Sequence, residues 1–228
     1  SILIYAESAE GKFKKVAYEL ASYAKKIAES LGTSVTAVTI NAADVSELGK
    51  YGVDKVLKVN NEAVTGFSAK AYSDIIKQAA IKEGSKVVVL SSTTDSMYLS
   101  GLVAVGLNAG FASNVVGLPL STSPFQVKRT AFSNKAFNIT EISTDVKVLG
   151  LAKNSYGIVE NNIALTEEDF NPNIDAASLN VKVTAVEKSS GKISIADADV
   201  VACTSVEHID REDIISTILL LLFSSTTA

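Results

Sequence analysis

The chain has 228 residues, of which 47% are hydrophobic and 20% charged, and its net charge is -4. That length suits one large core, or one core with a small appendage, and the mild acidity excludes a general affinity for nucleic acid or anionic membrane. A single cysteine, Cys203, excludes an internal disulfide and a multi-cysteine metal site, and a single histidine, His208, excludes a histidine-cluster metal centre.

Residues 2–6 form a predicted apolar strand, without the basic region or apolar length of a targeting peptide. Residues 7–11 follow as a solvated loop, with Glu10 near a helix N-terminus, where negative charge is favoured. Phe13, Val16, Ala17, Leu20, Ala24, Ile27 and Leu31 recur in steps of three and four. They predict a helix over 12–31, ended by Gly32. The β-branched run TSVTAVTI predicts a strand up to Ile40. Residues 44–51 predict a short helical turn closed by Gly52, and KVLKV (55–59) the next strand.

Ala71, Tyr72, Ile75, Ile76, Ala79 and Ala80 mark the inner face of a helix over 68–83, stopped by Gly84. The run KVVVLSS from Lys86 is wholly apolar at its centre, as strands in the middle of a sheet are. Residues 97–106 predict another helix and NVVGL (114–118) another strand. Alternation on this scale predicts an α/β fold: a mostly parallel twisted sheet, Rossmann-like, with helices on both faces.

After Pro119 the pattern changes. FQVKRTAFSNKAFNITEIST and VKVLGLAKN alternate with period two and no long helix separates them, so a few antiparallel strands are expected beside the parallel sheet. LTEEDFNPNIDAAS reads as a polar loop, LNVKVTAVEKSSGKISI as a strand and a turn at Ser189-Ser190-Gly191, and Val200, Val201 and Ala202 as the closing strand. DREDIISTILLLLFSSTTA places acids before an apolar run, as a short docking helix does. Its apolar run, 214–223, is well short of the roughly 20 residues of a membrane span. Its five contiguous large apolar residues, 218–222, require burial against something.

Open parallel sheets bind ligands at the carboxyl ends of their strands, and three loops qualify. The first, ESAEGKFKK, lacks the spaced glycines of a phosphate loop, and Glu7 and Glu10 repel a phosphate. The second, SSTTDSMYLSG, places hydroxyls at a predicted helix N-terminus, where Thr93, Thr94 and Ser96 would hold a nucleotide phosphate. The same residue types cap helices, and Asp95 would occupy the anion position itself. The third follows Val201 and reads Cys203-Thr204-Ser205, with no glycine after Gly191. Cys203 and His208 lie five apart, as a nucleophile and base would, but no third orienting group is evident and an inert buried thiol is the ordinary reading. No catalytic and no metal-ligating residue is assigned.

Several segments together resemble the N-terminal domain of the electron transfer flavoprotein α subunit. They are ILIYAESAEGKFKKVAYELASYAKKIA, YGVDKVLKV, AAIKEGSKVVVLSST, AGFASNVVGL and ISIADADVVACTS, together with VKRTAFSNKAFNITEIS, which carries Arg129, Phe132, Ser133 and Asn134. The resemblance runs in order over about 1–203. It implies a heterodimer with a β subunit, FAD as redox cofactor, AMP in that β subunit, and electrons passed from flavin dehydrogenases to a membrane-bound acceptor. This chain's part would be scaffold and β-subunit docking, with no catalytic group of its own. Where the family carries a Ser-Gly-Gly-Arg-Gly-type loop before its FAD-binding domain, this chain reads Ala202-Cys203-Thr204-Ser205-Val206. The expected division is therefore a 1–203 domain and an atypical tail, 204–228, in place of the FAD-binding domain. A single thiol and the bacterial character of the resemblance make the cytoplasm the expected setting. Two alternatives stand beside this: a stand-alone adenine-nucleotide-binding module using Thr93, Thr94 and Ser96, and a homo-oligomeric structural protein using the apolar tail.

Overall fold

The computed structural model describes residues 1–9, 11–64 and 66–179. Glu10, the strand and turn expected from LNVKVTAVEKSSGKISI, the closing strand, Cys203, His208, the expected division at 203–204 and the tail all lie outside the described residues.

The chain begins with β1 (Ile2–Tyr5), four residues buried throughout. A two-residue pair, β2 (Ser8–Ala9) and β3 (Lys12–Phe13), forms a small antiparallel hairpin where a loop was expected. That hairpin delays the first helix, so α1 is Lys15–Leu31. Gly32 ends it in the left-handed region, at φ 62, its amide donating to the Ala28 carbonyl. Strand β4 (Val35–Ile40), a 3-10 turn (Ser46–Lys50) and β5 (Lys55–Val59) follow as the sequence predicts. Helix α2 (Ala69–Lys82) is capped by Ser68, whose hydroxyl accepts from the Ala71 amide. It leads to β6 (Val87–Ser91), buried at every residue.

Helix α3 (Thr94–Gly106) begins three residues before its predicted start, because Thr93 caps it by accepting from the Ser96 amide. Strand β7 (Gly110–Val115) lies earlier than the predicted 114–118. Gly110 explains part of the shift: a Cβ there would stand 2.5 Å from Ile142 Cγ2, so only glycine lets the strand start at this position. Asn114 then turns the backbone into the left-handed region (φ 53), ending the regular strand just after it. Strands β8 (Ser121–Thr122), β9 (Phe125–Ala131) and β10 (Ala136–Ile142) are antiparallel, as expected.

Strand β11 (Lys147–Leu151) corrects the reading of VKVLGLAKN. It is parallel and lies in the middle of the sheet, between β6 and β7, with Val148 to Leu151 all buried. Continuous burial, rather than one-sided burial, is what a central parallel strand requires. The presumed polar loop 165–178 also contains a strand, β12 (Thr166–Asp169), which pairs parallel with β5. A last 3-10 turn spans Ala176–Leu179.

The sheet order is β10-β9-β7-β11-β6-β1-β4-β5-β12, with β8 paired to β9. Helix α1 buries Leu20, Tyr23, Ala24 and Ile27 against Ile2, Ile4, Val89 and Leu149 on one face. Helices α2 and α3 bury Ile75, Ile76, Leu99 and Val103 against Leu3, Val38, Leu90 and Val148 on the other. Burying each such large aliphatic side chain contributes about 1.5–3 kcal/mol. The result is the three-layer α/β architecture predicted by the sequence.

Candidate functional site

From β1 the chain passes through α1 to β4 on one side, and later returns to β6 on the other side of β1. Order reverses between β1 and β6, and the crevice outside their carboxyl ends is where a sheet of this kind places a ligand. The loops that meet there begin at Ala6 and Ser92.

Glu7 fills that crevice. Although the sequence suggests a solvated loop, Glu7 is only 2% exposed. Its Oε1 accepts from the Thr93 hydroxyl at 2.6 Å, from the Ser96 hydroxyl at 2.7 Å, and from the Ser91 hydroxyl. Its Oε2 receives the Lys14 ammonium at 3.1 Å. Burial raises the pKa of this carboxyl, but the three hydroxyl donors and the lysine outweigh burial and leave it below the ordinary carboxylate value. The carboxylate also sits at the start of α3, where unpaired amides and the helix dipole favour negative charge.

Of the three residues expected to hold a nucleotide phosphate, Thr93 and Ser96 are therefore brought together, but around Glu7. Each hydroxyl has one proton to give, and that proton goes to the carboxylate. Thr94 and Asp95 are exposed on the first turn of α3 and stand apart from the cluster. Glu10 of the same loop lies outside the described residues.

A second carboxylate, which the sequence reading did not single out, closes the neighbouring loop after β11. Glu19 on α1 is 4% exposed. Its oxygens accept from the backbone amides of Asn154 (2.9 Å), Tyr156 (2.9 Å) and Gly157 (3.1 Å). Successive amides converging in this way form an anion-binding concavity. Asn154 and Gly157 reach the required left-handed backbone, at φ 56 and 91. Ser22, one turn further along α1, exchanges hydrogen bonds with both backbone groups of Val159. The only sequence signal for Glu19 was an acid on the predicted buried side of α1.

The described residues at this crevice do not fit the pyrophosphate of a flavin or adenine dinucleotide. Its two anion-ready positions hold the chain's own carboxylates, and a phosphate would meet like charge in a desolvated place. Arg129, whose guanidinium is the natural fork for an anion, lies on β9 opposite Val115. Its Nη2 donates to the Ser113 hydroxyl at 3.3 Å. Phe132, Ser133 and Asn134 form the β9–β10 turn, all three at positive φ.

A family model described as Electron transfer flavoprotein domain matches residues 2–189. An electron transfer flavoprotein subunit alpha of Clostridium acetobutylicum is 29% identical over 122 residues, 52% of this chain and 36% of the relative. A protein of the same name from Bacillus subtilis is 22% identical over 209 residues, 88% of this chain and 62% of the relative. A third, from Thermoanaerobacterium thermosaccharolyticum, is 24% identical over 210 residues, 88% of this chain and 63% of the relative. The chain thus spans less than two thirds of the length of these curated relatives. Among the described residues no helix is long and apolar enough to cross a membrane. The match covers β1 to β12 without a break, and the chain belongs to the electron transfer flavoprotein domain family, as an N-terminal domain of the α-subunit type.

Proposed function

We propose that this domain is the rigid platform of an FAD-containing, heterodimeric electron carrier. It docks a β-type subunit and positions a flavin held by residues outside 1–179. The observation that carries the platform reading is Glu7. A parallel sheet that retains the family's architecture while closing its ligand crevice with its own side chains is suited to holding other parts in place. On this reading, electrons pass from flavin dehydrogenases to a membrane-bound acceptor on groups that the described residues do not supply. AMP belongs to the β-type subunit, and the assembly works in the bacterial cytoplasm. The domain division at 203–204 belongs to the same proposal, with the first part as platform.

Co-expression of the chain with an electron-transfer-flavoprotein β subunit tests this. A 1:1 complex that persists at micromolar concentration is expected, and failure to form it counts against the platform reading. The adenine-nucleotide reading requires the hydroxyls of Thr93 and Ser96 to leave Glu7, so it is the weaker of the two. Calorimetric binding of AMP or ATP that is lost on replacing Thr93, Thr94 and Ser96 together would reverse that order.

A further inference from the structure

Arg129 is the only arginine among the described residues, and its charge is unmet there. It is half-buried on β9, opposite Val115, the last residue of β7. Its Nε is enclosed and has no acceptor, the one buried side-chain nitrogen or oxygen among the described residues of which that is true. Of its five N–H groups a single one, on Nη2, finds an acceptor, the Ser113 hydroxyl at 3.3 Å. The acids nearest along the chain are engaged elsewhere: Glu141 accepts from Gln126 Nε2 at 3.0 Å, and Asp145 pairs with Lys86. A guanidinium cannot shed its charge by losing a proton, so taking it partly out of water without a counter-ion is costly. The buried carboxylates show the contrast, since Glu7 is met by hydroxyls and Lys14, and Glu19 by three amides.

The groups beside the guanidinium are donors. Ser113, having accepted from Nη2, keeps its own proton to give. Asn138 is the cross-strand partner of Arg129 and shares its face of the sheet. Its Oδ1 is taken by the Thr140 hydroxyl at 2.9 Å, which leaves the amide nitrogen to donate. Lys128 points to the opposite face, with its ammonium 4.0 Å from the centre of the Phe137 ring. Two neutral donors beside one positive charge, with no acid among them, make a receptor for a single negative charge. A carboxylate has that charge, and its two coplanar oxygens match the guanidinium fork, whereas a phosphate dianion would call for a second cation.

We infer that Arg129, with Ser113 and Asn138, binds a carboxylate on the Nη side of the guanidinium. The residue as a whole is half-buried while Nε is sealed, so it is the Nη end that solvent and ligand reach. The carboxylate belongs to a free organic acid or to an acidic side chain of a partner, and the chemistry of recognition is the same for both. The inference stands apart from the platform reading.

Heteronuclear NMR of the full chain tests it. The chain has two arginines and hence two Nε–H signals, and Arg129→Lys identifies the one that belongs to Arg129. Acetate, titrated at constant ionic strength against chloride, shifts that signal saturably in the millimolar range. Ser113→Ala and Asn138→Ala keep the charge but remove a donor, and each weakens acetate binding by about threefold or more. Arg129→Lys keeps the charge but loses the planar fork, and it weakens binding by about tenfold, followed through the backbone amides of Ser113 and Asn138. A second arm separates the two sources in a complex with a β-type subunit. There, an Arg129 signal already shifted and indifferent to acetate assigns the carboxylate to the partner, and one that still responds assigns it to a free acid. No saturable shift in the free chain, an equal shift with chloride, or acetate binding unaffected by all three substitutions would each overturn the proposal.

Discussion

Glu7 concentrates the polar energetics of the carboxyl edge in one side chain. Removing it strands three buried hydroxyls and the Lys14 ammonium at once. Leaving buried partners unsatisfied costs about 1–3 kcal/mol per group before relaxation, so Glu7→Ala is expected to lower stability by about 3 kcal/mol in urea unfolding. Glu7→Gln keeps the shape but loses the charge, and its cost falls between the native chain and the alanine variant. The pH dependence follows from the lowered pKa. Stability from Glu7 is fully present above the unfolded carboxyl value, and is lost as pH falls through the lower folded value. The acid limb of the native chain is therefore steeper than that of Glu7→Gln. Equal acid limbs for the two proteins would show that Glu7 is not held as described. None of this was legible locally, because the partner hydroxyls come from residues 84 to 89 positions away. In the sequence Glu7 looks like any acid in a polar loop, and the Thr93 loop looks like a helix cap, or a phosphate site with Asp95 in the anion position.

Among the elements, those whose pattern is set by one local neighbourhood were read correctly. Helices α1 and α2 each have a continuous apolar stripe and a stop at Gly32 or Gly84, and β5 was placed residue for residue. The misreadings fall where a distant strand decides. Strand β11 contains Val148-Leu149-Gly150-Leu151, and the glycine interrupts the apolar run enough to mimic alternation. Burial from β6 on one side and β7 on the other makes it central. Leu149→Ala in this strand should cost about 3 kcal/mol, in the range for a fully buried leucine truncated to alanine. Amide hydrogen exchange provides a second measure, with β11 among the slowest amides and β12 among the fastest. Comparable exchange rates in the two strands would contradict the sheet order. Strand β12 had no propensity signal, since Thr-Glu-Glu-Asp is a poor strand sequence. It is placed by its parallel pairing with β5, and Glu168, between Lys55 and Lys82, is drawn down to a pKa of about 2 by its hydrogen bonds to them.

For the whole molecule, the fold class was legible because five strands, β1, β4, β5, β6 and β7, and three helices follow one simple rhythm. The state of the crevice was not, because it depends on which loops the topology brings together. A crevice already filled predicts that AMP, ATP or FAD at submillimolar concentration leaves the melting temperature of the chain unchanged. A rise of several degrees on adding any one of them would mean that the carboxylates yield. The asymmetry between the sheet's two ends has a further consequence. Two β12 strands side by side set acids against acids, so growth of the sheet is disfavoured at that end, whereas the edge of β10, with Phe137 and Ile139 exposed, carries no such guard among the described residues.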